Sequence, residues 1–115
     1  MTLLEFIKQF PEGEEITVYD NIYDMETYFY NDAPSDEWDR AMLKLASKLD
    51  VVGGGGDTDY AIVNLTELIE RNIDNPIFEE LFIDVDVDAI MEDMGNILAG
   101  YVSEKWLTTF VNCLK

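Results

Sequence analysis

Ile16-Thr17-Val18-Tyr19 and Met25-Glu26-Thr27-Tyr28-Phe29-Tyr30 decide how this chain is built. Both stretches are rich in β-branched and aromatic residues, and their polarity alternates as in half-buried strands. Asp20 to Asp24 reads as a turn, so the two form a hairpin with a connection longer than two residues. Successive side chains point to opposite faces of a strand. Ile16, Val18 and Phe29 therefore share the face expected to meet helices. Tyr19, Glu26, Tyr28 and Tyr30 share the outer face, which is open unless a helix or the chain's own tail covers it. Tyr is common in interface cores, and Arg stacks on aromatic rings while pairing with acids. These four residues are the first candidate binding site.

Outward from the hairpin the pattern turns helical. Leu3, Leu4, Phe6, Ile7 and Phe10 form an apolar stripe, with Thr2 and Glu5 as a capping box. Pro11 and Gly13 end that helix. Ser35 is placed as the cap of a helix over about 36–49, whose buried stripe is Trp38, Met42, Leu45 and Leu49. Val51-Val52 begins a strand that the glycine run from Gly53 to Gly56 interrupts. Residues 58–64 form a third strand. Asn64 with Glu67 caps a helix over Leu65 to Asn72, and Pro76 to Phe82 forms another. Asp84 or Asp86 caps a helix running to Ala99, stopped by Gly100. Ser103 caps the last helix, with Trp106, Leu107, Phe110, Val111 and Leu114 inward. The expected fold is a single α+β domain over 1–115. A small antiparallel sheet of about three strands is packed on one face by helices, and the C-terminal half is helical.

The charge is extreme. Twenty-five acids face seven basic residues, for a formal net charge of -18 on 115 residues. No basic residue lies between Lys8 and Arg40, a gap holding ten acids, nor between Arg71 and Lys105, a gap holding nine. Such a charge opposes compaction but speeds encounter with basic partners. Direct nucleic-acid binding is disfavoured, because phosphate contacts need Lys and Arg. Arg40, Lys44 and Lys48 recur at a spacing of four along one helix side. They are expected to pair with Asp36 or neighbouring acids; the alternative is a docking strip for another acidic surface, including a second copy in a homodimer.

The chemistry-bearing motifs are thin. Gly53-Gly54-Gly55-Gly56-Asp57 has the glycines of a phosphate cradle, but Asp57 stands where a Lys must reach the phosphates. Asp84, Asp86 and Asp88 alternate like the opening of a calcium loop, yet Ala89 and Gly95 occupy the positions that need Gly and Glu. Helix capping accounts for these acids more simply, and they join the candidate binding residues as part of an acidic surface. No cofactor or metal is expected. The chain has no His, and no Ser or Cys has a visible base partner, so catalysis is not expected. Cys113 reads as a small core residue. No apolar run approaches the ~20 residues of a membrane span. The N-terminus lacks a signal-peptide pattern, and a cytoplasmic location is the simplest reading.

Leu3-Leu4-Glu5-Phe6-Ile7 followed by Phe10-Pro11-Glu12-Gly13-Glu14-Glu15-Ile16-Thr17-Val18 resembles short uncharacterised acidic proteins encoded on bacterial mobile elements. Asp88-Ala89-Ile90-Met91 and Ser103-Glu104-Lys105-Trp106-Leu107 are similar in tone. The resemblance implies an accessory or counter-defence role, including that of a DNA mimic, and assigns no residue. The expected function is therefore a non-catalytic interaction protein that binds a basic protein surface, with a DNA- or RNA-handling protein as partner. A divalent-metal-responsive protein or a structural subunit of a larger assembly is the alternative.

Overall fold

The computed structural model describes residues 1–54 and 59–115. The elements run α1 (Leu3–Ile7), β1 (Glu15–Asp20), β2 (Glu26–Tyr30), α2 (Glu37–Ala46), β3 (Val51–Gly54), β4 (Tyr60–Val63), α3 (Leu65–Asn72), α4 (Pro76–Leu81), α5 (Val87–Leu98) and α6 (Glu104–Cys113). This is the expected α+β class with one sheet face under helices, but the sheet has four strands and is mixed. Its order is β2-β1-β4-β3. β1 pairs antiparallel with β2 and parallel with β4, and β3 pairs antiparallel with β4. The fourth strand is the one its glycines hid. Gly54 sits at φ +109, and a Cβ there would lie 2.7 Å from the Tyr60 carbonyl oxygen, so only glycine lets the two strands close. Gly55, Gly56 and Asp57, the rest of the cradle-like motif, lie outside the described residues.

Local signals start most helices where the sequence places them. The Thr2 hydroxyl accepts from Glu5 N–H, and the Glu5 carboxylate accepts from Thr2 N–H at 2.9 Å. That hydrogen bonding holds the Glu5 carboxyl below its ordinary range. Asn64 caps α3 through Glu67 N–H and Ser103 caps α6 through Trp106 N–H. α1 stops at Ile7, earlier than the apolar stripe suggests, because Gln9 and Phe10 bond back three residues, to Phe6 and Ile7, in a tightened last turn. At α2 the cap is Asp36, which accepts from Asp39 N–H at 2.8 Å, while Ser35 instead donates to the Asp39 carboxylate. Gly100, at φ +99, closes α5: its N–H bonds Ile97 O and the Tyr101 N–H bonds Asn96 O.

The inner sheet face carries Ile16, Val18, Phe29, Ala61 and Val63, all essentially buried. α5 lies against β2 and α1 against β4, while α2 packs on α6. The aromatic centre is on the helical side, where Phe82 and Phe110 meet each other and each meets both Phe78 and Trp106, with ring centroids 5.4–5.9 Å apart. Cys113 is buried as a core residue, and burial pushes its thiol pKa up.

One buried carboxylate ties these layers together. Asp20 ends β1, and its two oxygens accept five hydrogen bonds. Oδ2 takes Ile22 N–H, Tyr23 N–H and the Thr66 hydroxyl, and Oδ1 takes Leu65 N–H and Thr66 N–H. It therefore caps both the hairpin turn and the first turn of α3. Nothing in its neighbouring sequence announces the second role.

Candidate functional site

The outer face of the sheet is open. Tyr19, Tyr28 and Tyr30 are 37%, 46% and 49% exposed, and Glu26 is exposed beside them. No described helix or tail covers them. The register explains the grouping: Tyr28 lies opposite Thr17, Tyr30 opposite Glu15, and Tyr19 opposite Glu26. β4 adds a tyrosine that the sequence reading missed. Tyr60 is aligned with Thr17 in the parallel ladder, and its ring meets Tyr19 edge-on at 6.2 Å. The signal was present in the alternation of Tyr60 and Ile62 against Ala61 and Val63, but only the pairing of β4 with β1 places Tyr60 on this face.

Carboxylates hold the rings. The Tyr28 hydroxyl donates to Glu26 at 2.6 Å, and the Tyr30 hydroxyl donates to Glu15 at 2.8 Å across the hairpin. Each hydrogen bond favours the protonated phenol, so both pKa values rise above the ordinary value; repulsion from Glu26 adds to the effect at Tyr28. No Lys or Arg occurs in any of the four strands. A surface of ring faces and bound carboxylates, with no cation of its own, is chemically matched to guanidinium groups.

The sign of the tyrosine effect is testable. A phenol with a raised folded-state pKa contributes stability that is complete below its unfolded value near 10 and is lost as pH rises through the folded value. Ultraviolet titration should show Tyr28 ionising later than free tyrosine. Glu26→Gln should move that ionisation back toward pH 10 while leaving Tyr30 unchanged. Coincident titration curves for the two proteins would mean that the Glu26 bond is absent in solution.

The remaining candidates separate from this face. Asp84 borders a second groove, of about 330 Å³, between the α4–α5 connection and α6, beside the exposed Ile83 and Tyr101. Asp86 and Asp88 are exposed at the start of α5. Asp86 occupies the cap position, yet its side chain makes no cap hydrogen bond, so the acids there complement the helix dipole instead of capping it. Among the described residues, no group of three or more Asp, Glu or Cys side chains forms a metal-holding set.

The basic stripe is also corrected. Lys44 donates to the Asn112 side-chain oxygen at 2.6 Å and Lys48 to the Leu114 carbonyl at 2.9 Å. Both turn to the α6 end of the chain rather than to acids. Among the described residues the one ion pair is Arg71 with Glu67, at 3.9 Å. The acid excess is therefore left to face solvent. No described helix is long and apolar enough to cross a membrane. Compared with known proteins, the chain matches no family model, no curated protein and no solved structure.

Proposed function

We propose that this chain is a non-catalytic interaction protein that binds a basic, arginine-bearing protein surface through the open face of its sheet. The observation that carries the reading is the cluster of Tyr19, Tyr28, Tyr30 and Tyr60, exposed together, with Glu15 and Glu26 bonded among them. Tyrosine gives contact area at low entropic cost, and desolvated aromatic anchors dominate interface energies. The surrounding acid excess supplies long-range steering.

A DNA- or RNA-handling protein is the partner class, since its basic surface is the natural counterpart of this charge. Close imitation of a duplex is a narrower idea. B-DNA presents about one charge per 110 Å² of its cylinder. A net charge of -18 over 6394 Å² leaves roughly one per 360 Å² here, so mimicry would need strong local clustering. Ring stacking with carboxylate pairing makes no such demand.

Amide NMR titration with an oligoarginine peptide tests the proposal. Perturbed signals should concentrate on β1, β2 and β4. Replacing all four tyrosines by serine should weaken binding about tenfold or more. From lysate at low salt, wild type but not the serine variant should recover nucleic-acid-binding proteins. Shifts spread evenly over the acidic surface, with equal affinity for the serine variant, would reduce the interaction to bulk charge and end the proposal.

A further inference from the structure

The sheet has two edges, and they are not equivalent. At the β3 edge, Val51 N–H bonds Met1 O at 2.9 Å and Thr2 bridges Asp50, so the N-terminal segment already takes part of that strand. The β2 edge has no such neighbour among the described residues. Asn31 N–H donates to Glu14 O and Asp20 N–H to Met25 O. The alternation of an antiparallel ladder then turns the backbone groups of 25, 27, 29 and 31 toward β1. Those of Glu26, Tyr28 and Tyr30 point to the free edge. An open row of donors and acceptors is a template for another strand.

Beside this edge lies a groove of about 470 Å³, walled by α2 and α5 through Trp38, Met42, Leu98 and Ala99. Its rim carries Glu26, Asp32 and Asp39, and no Lys or Arg lines it. Gly95 also lines the groove, from inside α5. Glycine within a helix costs stability relative to alanine. Here it answers no backbone need: its φ is not positive, and a Cβ would meet nothing within 4 Å. What its missing side chain does is leave the groove open.

We infer that the β2 edge and its groove accept an extended basic segment of the partner by strand addition. This rests on the proposed function and supplies its register. Side chains of an added strand alternate between faces. One set would drop into the groove against Trp38, Met42 and Leu98, and the other would lie on the outer face beside Glu26, Tyr28 and Tyr30. The segment that fits alternates apolar residues with Arg or Lys. A second copy of this chain is disfavoured as occupant, because β2-to-β2 pairing would bring two bodies of net charge -18 together and place the Glu26 carboxylates at one seam.

The probe is a peptide of about seven residues alternating Arg and Val, long enough to span a strand. Wild-type protein should bind it, with shifts at Glu26, Tyr28 and Tyr30 amides. Gly95→Leu should fill the groove, raise the melting temperature and weaken binding about tenfold or more. N-methylation of one alternate set of peptide amides should abolish binding while methylation of the other set is tolerated, because only one set faces β2. Equal effects of both methylated peptides, together with unchanged affinity for Gly95→Leu, would overturn strand addition. Oligoarginine binding to the tyrosine face would still stand or fall separately by the four-serine variant. Sedimentation showing a dimer that the Arg-Val peptide does not dissociate would assign the edge to a second copy and likewise overturn the inference.

Discussion

Asp20→Ala is expected to lose about 4 kcal/mol of folding stability, because it strips the shared acceptor from four backbone N–H groups and one hydroxyl. Asp20 is 7% exposed and Thr66 3%, so water replaces the carboxylate poorly. Bonds to a charged acceptor are the stronger kind, and leaving buried donors unmade costs more than the bonds contribute on average. The total stays below the sum of five separate losses because one void can admit water to several donors. Asp20→Asn keeps one carbonyl acceptor but aims an NH₂ at N–H donors, and should lose about half as much. Thr66→Val removes only the hydroxyl, for about 1 kcal/mol. Urea denaturation with an unchanged m-value would give these differences directly. If Asp20→Ala and Thr66→Val shift the midpoint equally, the carboxylate is not the centre of the network.

Phe110→Ala should cost a similar amount, about 3–5 kcal/mol. Phe110 is fully buried, and its ring touches Phe78, Phe82 and Trp106, with the Trp106 ring stacked at 20°. Removing it takes one wall from every other ring in the cluster. The cavity cannot collapse easily, because Phe78 and Phe82 are fixed on the short α4 and its end while Phe110 and Trp106 share α6. Phe110→Leu should retain part of the loss, since Leu refills some of the volume. Domains of this size are stable by only about 5–15 kcal/mol, so the alanine variant is expected to be partly unfolded at 37 °C. A loss below 1 kcal/mol would mean that the rings repack around the deletion. The result should be independent of salt, unlike effects on the acidic face.

The contrast between these two sites shows what a sequence can and cannot disclose. Phe110 was legible, because helix periodicity around Ser103 is a local property. The same holds for the Thr2–Glu5 and Asn64–Glu67 caps, and for the two faces of the hairpin, where Tyr19, Tyr28 and Tyr30 emerged as expected. Asp20 was legible only as a turn residue, since its other partners, Leu65 and Thr66, lie far along the chain. Gly53 and Gly54 have no strand propensity, so the sequence breaks β3; the close approach of Gly54 to the Tyr60–Ala61 backbone, not propensity, makes this segment a strand. The parallel seam between β1 and β4, the turn of Lys44 and Lys48 toward α6, and the groove beside β2 all depend on long-range packing. Charge could be counted in advance, but that Arg71 with Glu67 would be the one ion pair among the described residues could not.

The same parallel seam sets the order in which this architecture can be assembled. Thr17 must find Tyr60, whereas the hairpin closes through a short turn. Bringing distant segments together costs loop-closure entropy before any contact repays it. The hairpin and the capped helices can therefore appear early, and the central ladder must wait for β3 and β4 to be delivered together. Asp20 stands at the end of that ladder, where Val63 hands over to α3. Its carboxylate can hold Ile22 and Tyr23 as soon as the hairpin turns, but it gains Leu65 and Thr66 only when β4 arrives, and so joins two independently plausible halves into one structure.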